Sequence, residues 1–217
     1  MPQVSLFAAP APLKPSAWSL AERDVSSLIA DLGAHIHGYS YADEGRARAT
    51  DERVSLLLIG ELRDTKHALF PLVDRAYKLS SRGAEGYHDF EHRARLLRDD
   101  LDILSDEIKM RNFSWTDIEP DWLKMLVRKD HELLAAMRKL QDSVLQLGID
   151  LSHAERPEAT SLADKGFWPA LAAHTDHCRS LLGEVVKLFK ERENICNLKK
   201  YEFAKTQAQM QRSARLL

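Results

Sequence analysis

An all-α fold, an antiparallel bundle of four to five long helices, is what this sequence predicts. Apolar residues recur at intervals of three and four through several long stretches, the mark of helices with one buried stripe. No stretch alternates apolar and polar residues as a half-buried strand would. Turn formers are scarce: 9 glycines and 8 prolines in 217 residues, four of those prolines within the first fifteen. A chain so poor in punctuation favours a few long elements over many short ones.

The elements follow in order. Residues 1–16 form a Pro/Ala-rich N-terminal arm, with Ala8-Ala9-Pro10-Ala11-Pro12 and Pro15, and prolines at this density favour extended chain. Such an arm is either a loose tail or a segment that docks on a partner or on its own bundle. The helical bundle is expected over 17–195. Ser19 to Glu22 reads as a capping box opening a first helix through Ala21, Val25, Leu28, Leu32 and His35, which Gly38 ends. A polar connection over 39–50 follows, with Thr50 as the expected N-cap of the second helix. That helix carries Val54, Leu58, Leu62, Thr65, Leu69, Leu72, Ala76 and Leu79, with Pro71 predicting a kink. Ser80 to Gly83 reads as a short turn, so the next helix should return antiparallel.

The third helix, 85–111, has the clearest stripe: Tyr87, Phe90, Ala94, Leu97, Leu101, Leu104 and Ile108. Between Ala84 and Glu107 it holds eight acids against three arginines. Thr116 to Glu119, followed by Pro120, predicts the entry to a fourth helix. Its stripe runs Leu123, Leu126, Asp130, Leu133, Met137, Leu140, Val144 and Leu147, and Gly148 is expected to stop it. A cap at Ser161 to Asp164 predicts a fifth helix with Leu171, His174, Cys178, Leu181, Val185 and Leu188. Residues 196–217 read as a basic helical extension or tail, five basic residues against one acid over its last twenty.

The totals exclude several classes. A net charge of −2 does not suit an electrostatic nucleic-acid binder, and the basic tail offers only Tyr201 and Phe203 for stacking. No apolar run is long enough to span a membrane, and no secretion signal is apparent, so a cytoplasmic protein is expected. Cys178 and Cys196 sit eighteen apart in one expected helix, a separation of ~27 Å at ~1.5 Å per residue. They cannot form a disulfide if that helix is straight. Glycine-rich phosphate loops, Cys-x-x-Cys pairs and Gly-x-Ser-x-Gly turns are all missing from the sequence.

The stripes also sort the nine histidines. His67, His88, His92, His131 and His177 fall off the stripes and read as solvated. His35, Asp130 and His174 occupy stripe positions. A polar group there costs roughly 1–3 kcal/mol unless it is paired. Either these residues make structural hydrogen bonds, such as Asp130 with a histidine of a facing helix, or they belong to a site inside the bundle. His174 and Cys178 lie four apart on one face, a spacing that suits two metal ligands, so His35, Asp130, His174 and Cys178 form one candidate metal set for iron or zinc.

Residues 58–192 resemble the hemerythrin-like cation-binding bundles. The run His67-Ala-Leu-Phe-Pro-Leu-Val-Asp is similar to the first ligand helix of that family. Asp130-His131-Glu132 resembles the third and His174-Thr-Asp-His177 the fourth. Leu101 to Glu107 has the acidic ending of the second, with Asp102 where the family has a histidine. The resemblance implies a four-helix bundle and a second candidate metal set, His67, His131 and His177, with altered ligand positions. His88-Asp89 resembles the ligand pair of the all-α HD-type phosphohydrolases, which implies an enzyme as a third reading.

Binding is the favoured function. With no complete catalytic set, an acidic third helix, a basic end and a proline-rich arm, the chain reads as a non-enzymatic bundle that binds or regulates a protein partner or associates with itself. A metal-binding or sensing bundle with a non-standard site is the alternative.

Overall fold

A computed structural model describes residues 24–80, 86–111, 120–155 and 166–196. The expected caps at Ser19, Thr116 and Ser161, the turn at 81–85, the proline-rich arm and the basic tail lie outside the described residues. Among the described residues the chain forms five helices and no strand: α1 Val25–Gly33, α2 Glu44–Ser80, α3 Tyr87–Lys109, α4 Pro120–Glu155 and α5 Phe167–Cys196. None of these helices is long and apolar enough to cross a membrane.

Four long helices enclose one core. α2 and α3 are antiparallel: Tyr77 lies by Tyr87 with ring centroids 6.4 Å apart, and Lys66 pairs with Asp102 at 2.7 Å. α4 and α5 are antiparallel too, with Asp150 3.3 Å from His174 at one end and Lys129 2.8 Å from Glu191 at the other. Across the bundle α2 and α4 run in the same direction, Glu61 beside Gln141 and Arg75 beside Ser152. α3 and α5 likewise run together, Arg93 beside Asp176 and Asp100 beside Arg179. The short α1 lies outside this square against α4.

The stripes of the second and third helices are buried as written. Every apolar position expected for α3 faces the core, and so do all eight expected for α2. Most of the acids on α3 that suggested a charged face are paired locally. Asp89 meets Arg93, Glu91 meets Arg95, and Asp106 meets Lys109. Exposed pairs of this kind are each worth only ~0.2–1 kcal/mol.

Several features differ from expectation, the first being that α1 ends at Gly33 and not at Gly38. α2 begins at Glu44, where Asp43 Oδ1 accepts the Arg46 N–H at 2.9 Å. Thr50 therefore lies inside the helix, and its hydroxyl donates to Ser40 O at 2.8 Å and accepts the Ser40 N–H at 3.0 Å. α4 passes through Gly148 instead of stopping there. A Cβ at 148 would lie 3.3 Å from Leu72, so this glycine serves the close approach of α2 and α4.

The stripe of α5 differs as well. Its buried line runs Leu171, Thr175, Cys178, Leu182, Val185, Phe189 and Arg192, not through His174, Leu181 and Leu188. Both lines obey three-four spacing. Trp168 and Phe189 decide between them by burying more surface than the leucines on the neighbouring line.

Candidate functional site

The corrected line of α5 ends on a charge. The Arg192 side chain is 0% exposed and lies where all four long helices and the α1–α2 connection meet. Its Nε donates to Asp130 Oδ1 of α4, and its Nη1 donates to Asp51 Oδ1 of α2 at 2.5 Å. Arg111, just past α3, donates to the same Asp51 oxygen at 2.5 Å. The far oxygen of Asp130 accepts the hydroxyls of Tyr39 at 2.7 Å and Tyr41 at 2.6 Å. Gly38 allows the connection to present those tyrosines. Its φ is +68°, and a Cβ there would lie 2.7 Å from the Arg53 guanidinium, which donates to His37 O at 2.6 Å.

Two guanidiniums face two fully buried carboxylates in this cluster, and the half-buried Glu193 carboxylate reaches Arg111 Nε at 3.3 Å from its edge, so every buried cation has a counter-charge. A buried charge without its counter-charge is strongly destabilising, which explains why the four occur together. Burial pulls the Arg192 pKa down, but Asp130 and Asp51 more than offset this and hold it above its ordinary value. The ring of Phe189 closes one side beneath the Arg111 guanidinium, 5.7 Å away. The cation between the buried carboxylates is thus supplied by the chain itself, and the cluster is packed shut.

Titration of the cluster gives a first prediction. Burial, then the Asp130 carboxylate, holds the Tyr39 and Tyr41 hydroxyls far above the ordinary tyrosine range. Burial also pushes the Cys196 thiol up to about 11. A group whose pKa rises on folding holds its proton more tightly in the folded chain. Its stabilisation is complete below the unfolded pKa and is lost as pH climbs toward the folded one. The melting temperature should therefore begin to fall above pH ~8.5, where an unfolded thiol ionises. Cys196→Ala should remove the part of that fall due to the thiol, on the order of 2 kcal/mol by pH 11. Melting curves at several pH values check this, and absorbance at the phenolate band should show Tyr39 and Tyr41 ionising only on unfolding.

The residues singled out from sequence are scattered over several separate environments. His35, half-buried, lies 3.0 Å from the Arg138 guanidinium; burial, then that neighbouring cation, lowers its pKa. Asp130 belongs to the ionic cluster. His174 and Cys178 meet at Ser143 of α4. His67 and His177 are exposed on the outer faces of α2 and α5. His131, expected in solvent, is 9% exposed, because α1 covers that face of α4 and brings Asp31 to 3.9 Å. Among the described residues no three His, Cys, Asp or Glu side chains are grouped so as to hold a metal ion. Sequence reading overlooked Arg192, Asp51, Tyr39 and Tyr41. The available signal was an arginine that continues a three-four stripe by one more step.

The group around Ser143 merits a chemical reading. Asp150 Oδ2 lies 3.3 Å from His174 Nδ1, and His174 Nε2 lies 3.1 Å from Ser143 Oγ. Carboxylate, imidazole and hydroxyl stand in the order of a hydrolytic relay. Such a relay also needs donors for an oxyanion, and Ser143 sits mid-helix, where backbone N–H groups are spent on carbonyls one turn back. Cys178 Sγ lies 3.2 Å from the same Ser143 Oγ, and burial raises its pKa, which disfavours the nucleophilic thiolate. The arrangement ties α4 to α5 by hydrogen bonds.

An open feature lies between α2 and α3. A groove of about 380 Å³ is bounded by Leu69, Phe70, Val73, Tyr77, Tyr87 and Ala94. Phe70 and Tyr77 are 67% and 66% exposed, whereas Tyr87 beneath them is 3% exposed. Among the described residues the buried Tyr87 hydroxyl has no hydrogen-bond partner. Asp74, Glu91, Arg95 and Arg98 line its rim.

Comparison with known proteins adds no template. No family model matches the chain, and no curated protein or solved structure matches it either. Function has to be read from the two clusters and the groove.

Proposed function

We propose that this protein is a non-enzymatic helical bundle that works by binding a macromolecular partner through the α2–α3 groove. The observation that carries this reading is the pair of large aromatics, Phe70 and Tyr77, held two turns apart in solvent above a tyrosine whose hydroxyl lacks a partner. Exposed apolar surface of this kind, rimmed by charge, is characteristic of interaction sites, and aromatic anchors dominate binding energy at interfaces. The interior supports the same reading from the other side. Arg192, Asp51 and Asp130 pair with one another within the chain, and the serine–histidine pair lies mid-helix, where backbone N–H groups are already bonded.

The test uses the full chain as bait. Phe70→Asp with Tyr77→Asp should leave the melting temperature nearly unchanged, because substitution of exposed groups usually stays within ~0.5 kcal/mol. The pair should nonetheless lose proteins that wild type and a Leu145→Asp control both retain. Leu145 is similarly exposed, on α4. An identical set of retained proteins for all three baits would remove the groove from consideration.

A further inference from the structure

We infer that the α2–α3 groove receives the proline-rich segment Pro10–Pro15 of a second copy of this chain, an inference that rests on the binding function proposed above. Its first support is chemical fit. The segment reads Pro10-Ala-Pro12-Leu-Lys14-Pro15, so Pro12 and Pro15 stand in the Pro-x-x-Pro spacing of polyproline-II ligands. Such ligands dock in aromatic-lined grooves, and their preset extended form keeps the entropic cost of binding low. Phe70, Tyr77 and Tyr87 supply the aromatic walls and floor.

The second support is the Tyr87 hydroxyl. A buried donor without an acceptor costs ~1–3 kcal/mol. A polyproline-II chain makes no internal hydrogen bonds, so each of its carbonyls is a free acceptor. The Tyr77 ring, two-thirds exposed, lies 6.4 Å from that of Tyr87 and lines the same groove. Lys14 supplies a cation complementary in charge to Asp74 and Glu91, which line the groove. Both now pair with cations on their own helices, Lys78 at 2.7 Å and Arg95 at 2.5 Å. Exposed pairs of this kind exchange partners at little cost.

Chain length decides which copy supplies the segment. Asp31 faces His131 and His35 faces Arg138, so α1 runs along α4 in the same direction. Asp24 then lies near the level of α4 residue 124. The groove lies near the level of Gly148, whose Cα side faces Leu72. At ~1.5 Å per residue the two levels are roughly 36 Å apart along the bundle, before any detour around α2. The nine residues from Pro15 to Asp24 span at most ~32 Å fully extended. Pro15 of the same chain falls short, and Pro15 of another copy does not.

The test places benzoylphenylalanine at position 70 of the full chain and mixes 15N-labelled with unlabelled protein before irradiation. Cross-links from position 70 to residues 8–17 are expected, with mixed-label pairs as frequent as like-label pairs. Pro12→Ala with Pro15→Ala should abolish the product without shifting the melting temperature. Like-label pairs alone would place the segment in its own groove and overturn the exchange between copies. Persistence of the product in the proline variant would overturn the recognition of proline. If position 70 captures other proteins but never residues 8–17, the groove remains a binding surface and this assignment of its occupant fails. If it captures nothing, both fail.

Discussion

Arg192→Met should cost this protein about 3–5 kcal/mol of stability, the usual consequence of removing one partner from a buried ion pair. Arg192 is fully buried, and methionine fills much of its volume, so packing loss is the smaller part of the effect. What remains is Asp130, 0% exposed, with two tyrosine hydroxyls and no cation. Asp51 fares better, because Arg111 still donates to it at 2.5 Å. Urea unfolding of wild type and variant measures this loss.

A loss of similar size is expected from Phe90→Ala, about 3–5 kcal/mol, because a large cavity would open in a close-packed interior. Phe90 is 0% exposed and packs on Trp168 with ring centroids 6.1 Å apart. The same helix supplies its own control. His88 has a side chain 88% exposed and His92 is exposed, so their alanine variants should stay within ~0.5 kcal/mol of wild type. Thermal unfolding of the three variants settles whether the stripe or the histidine face of α3 points inward. A large loss from His88→Ala or His92→Ala would reverse the orientation of that helix.

Much of the fold could be read from apolar spacing because α2, α3 and α4 each carry a single unambiguous stripe. α5 does not. Leu181 and Leu188 obey the helical period as well as Leu182 and Phe189 do, and only the neighbouring helices select between them. That ambiguity hid Arg192, and with it the ionic cluster. Asp51 was masked for a related reason: placing the start of α2 at Thr50 put it in the first helical turn, where an acid needs no further explanation. Tyr39 and Tyr41 sit in a connection, and periodicity says nothing about which loop side chains turn inward. His131 shows the opposite limit. Its position relative to the α4 stripe was read correctly, but burial came from α1, a fifth helix packed on the outside of a four-helix core. The groove escaped notice because Phe70 and Tyr77 lie off the stripe of α2, where an apolar residue leaves no periodic trace.

Charge compensation between Arg192 and Asp130 holds the closed interior together, and a double-mutant cycle tests it directly. Asp130→Asn keeps an oxygen to accept from Tyr39 and Tyr41 but leaves Arg192 and Arg111 sharing Asp51. Combined with Arg192→Met it restores charge balance. Unfolding free energies for wild type, the two single variants and the double variant should show the double variant to be more stable than Arg192→Met alone, with a coupling of at least ~1.5 kcal/mol. Strictly additive losses would mean that Arg192 and Asp130 do not compensate one another, and the closed interior described here would be wrong.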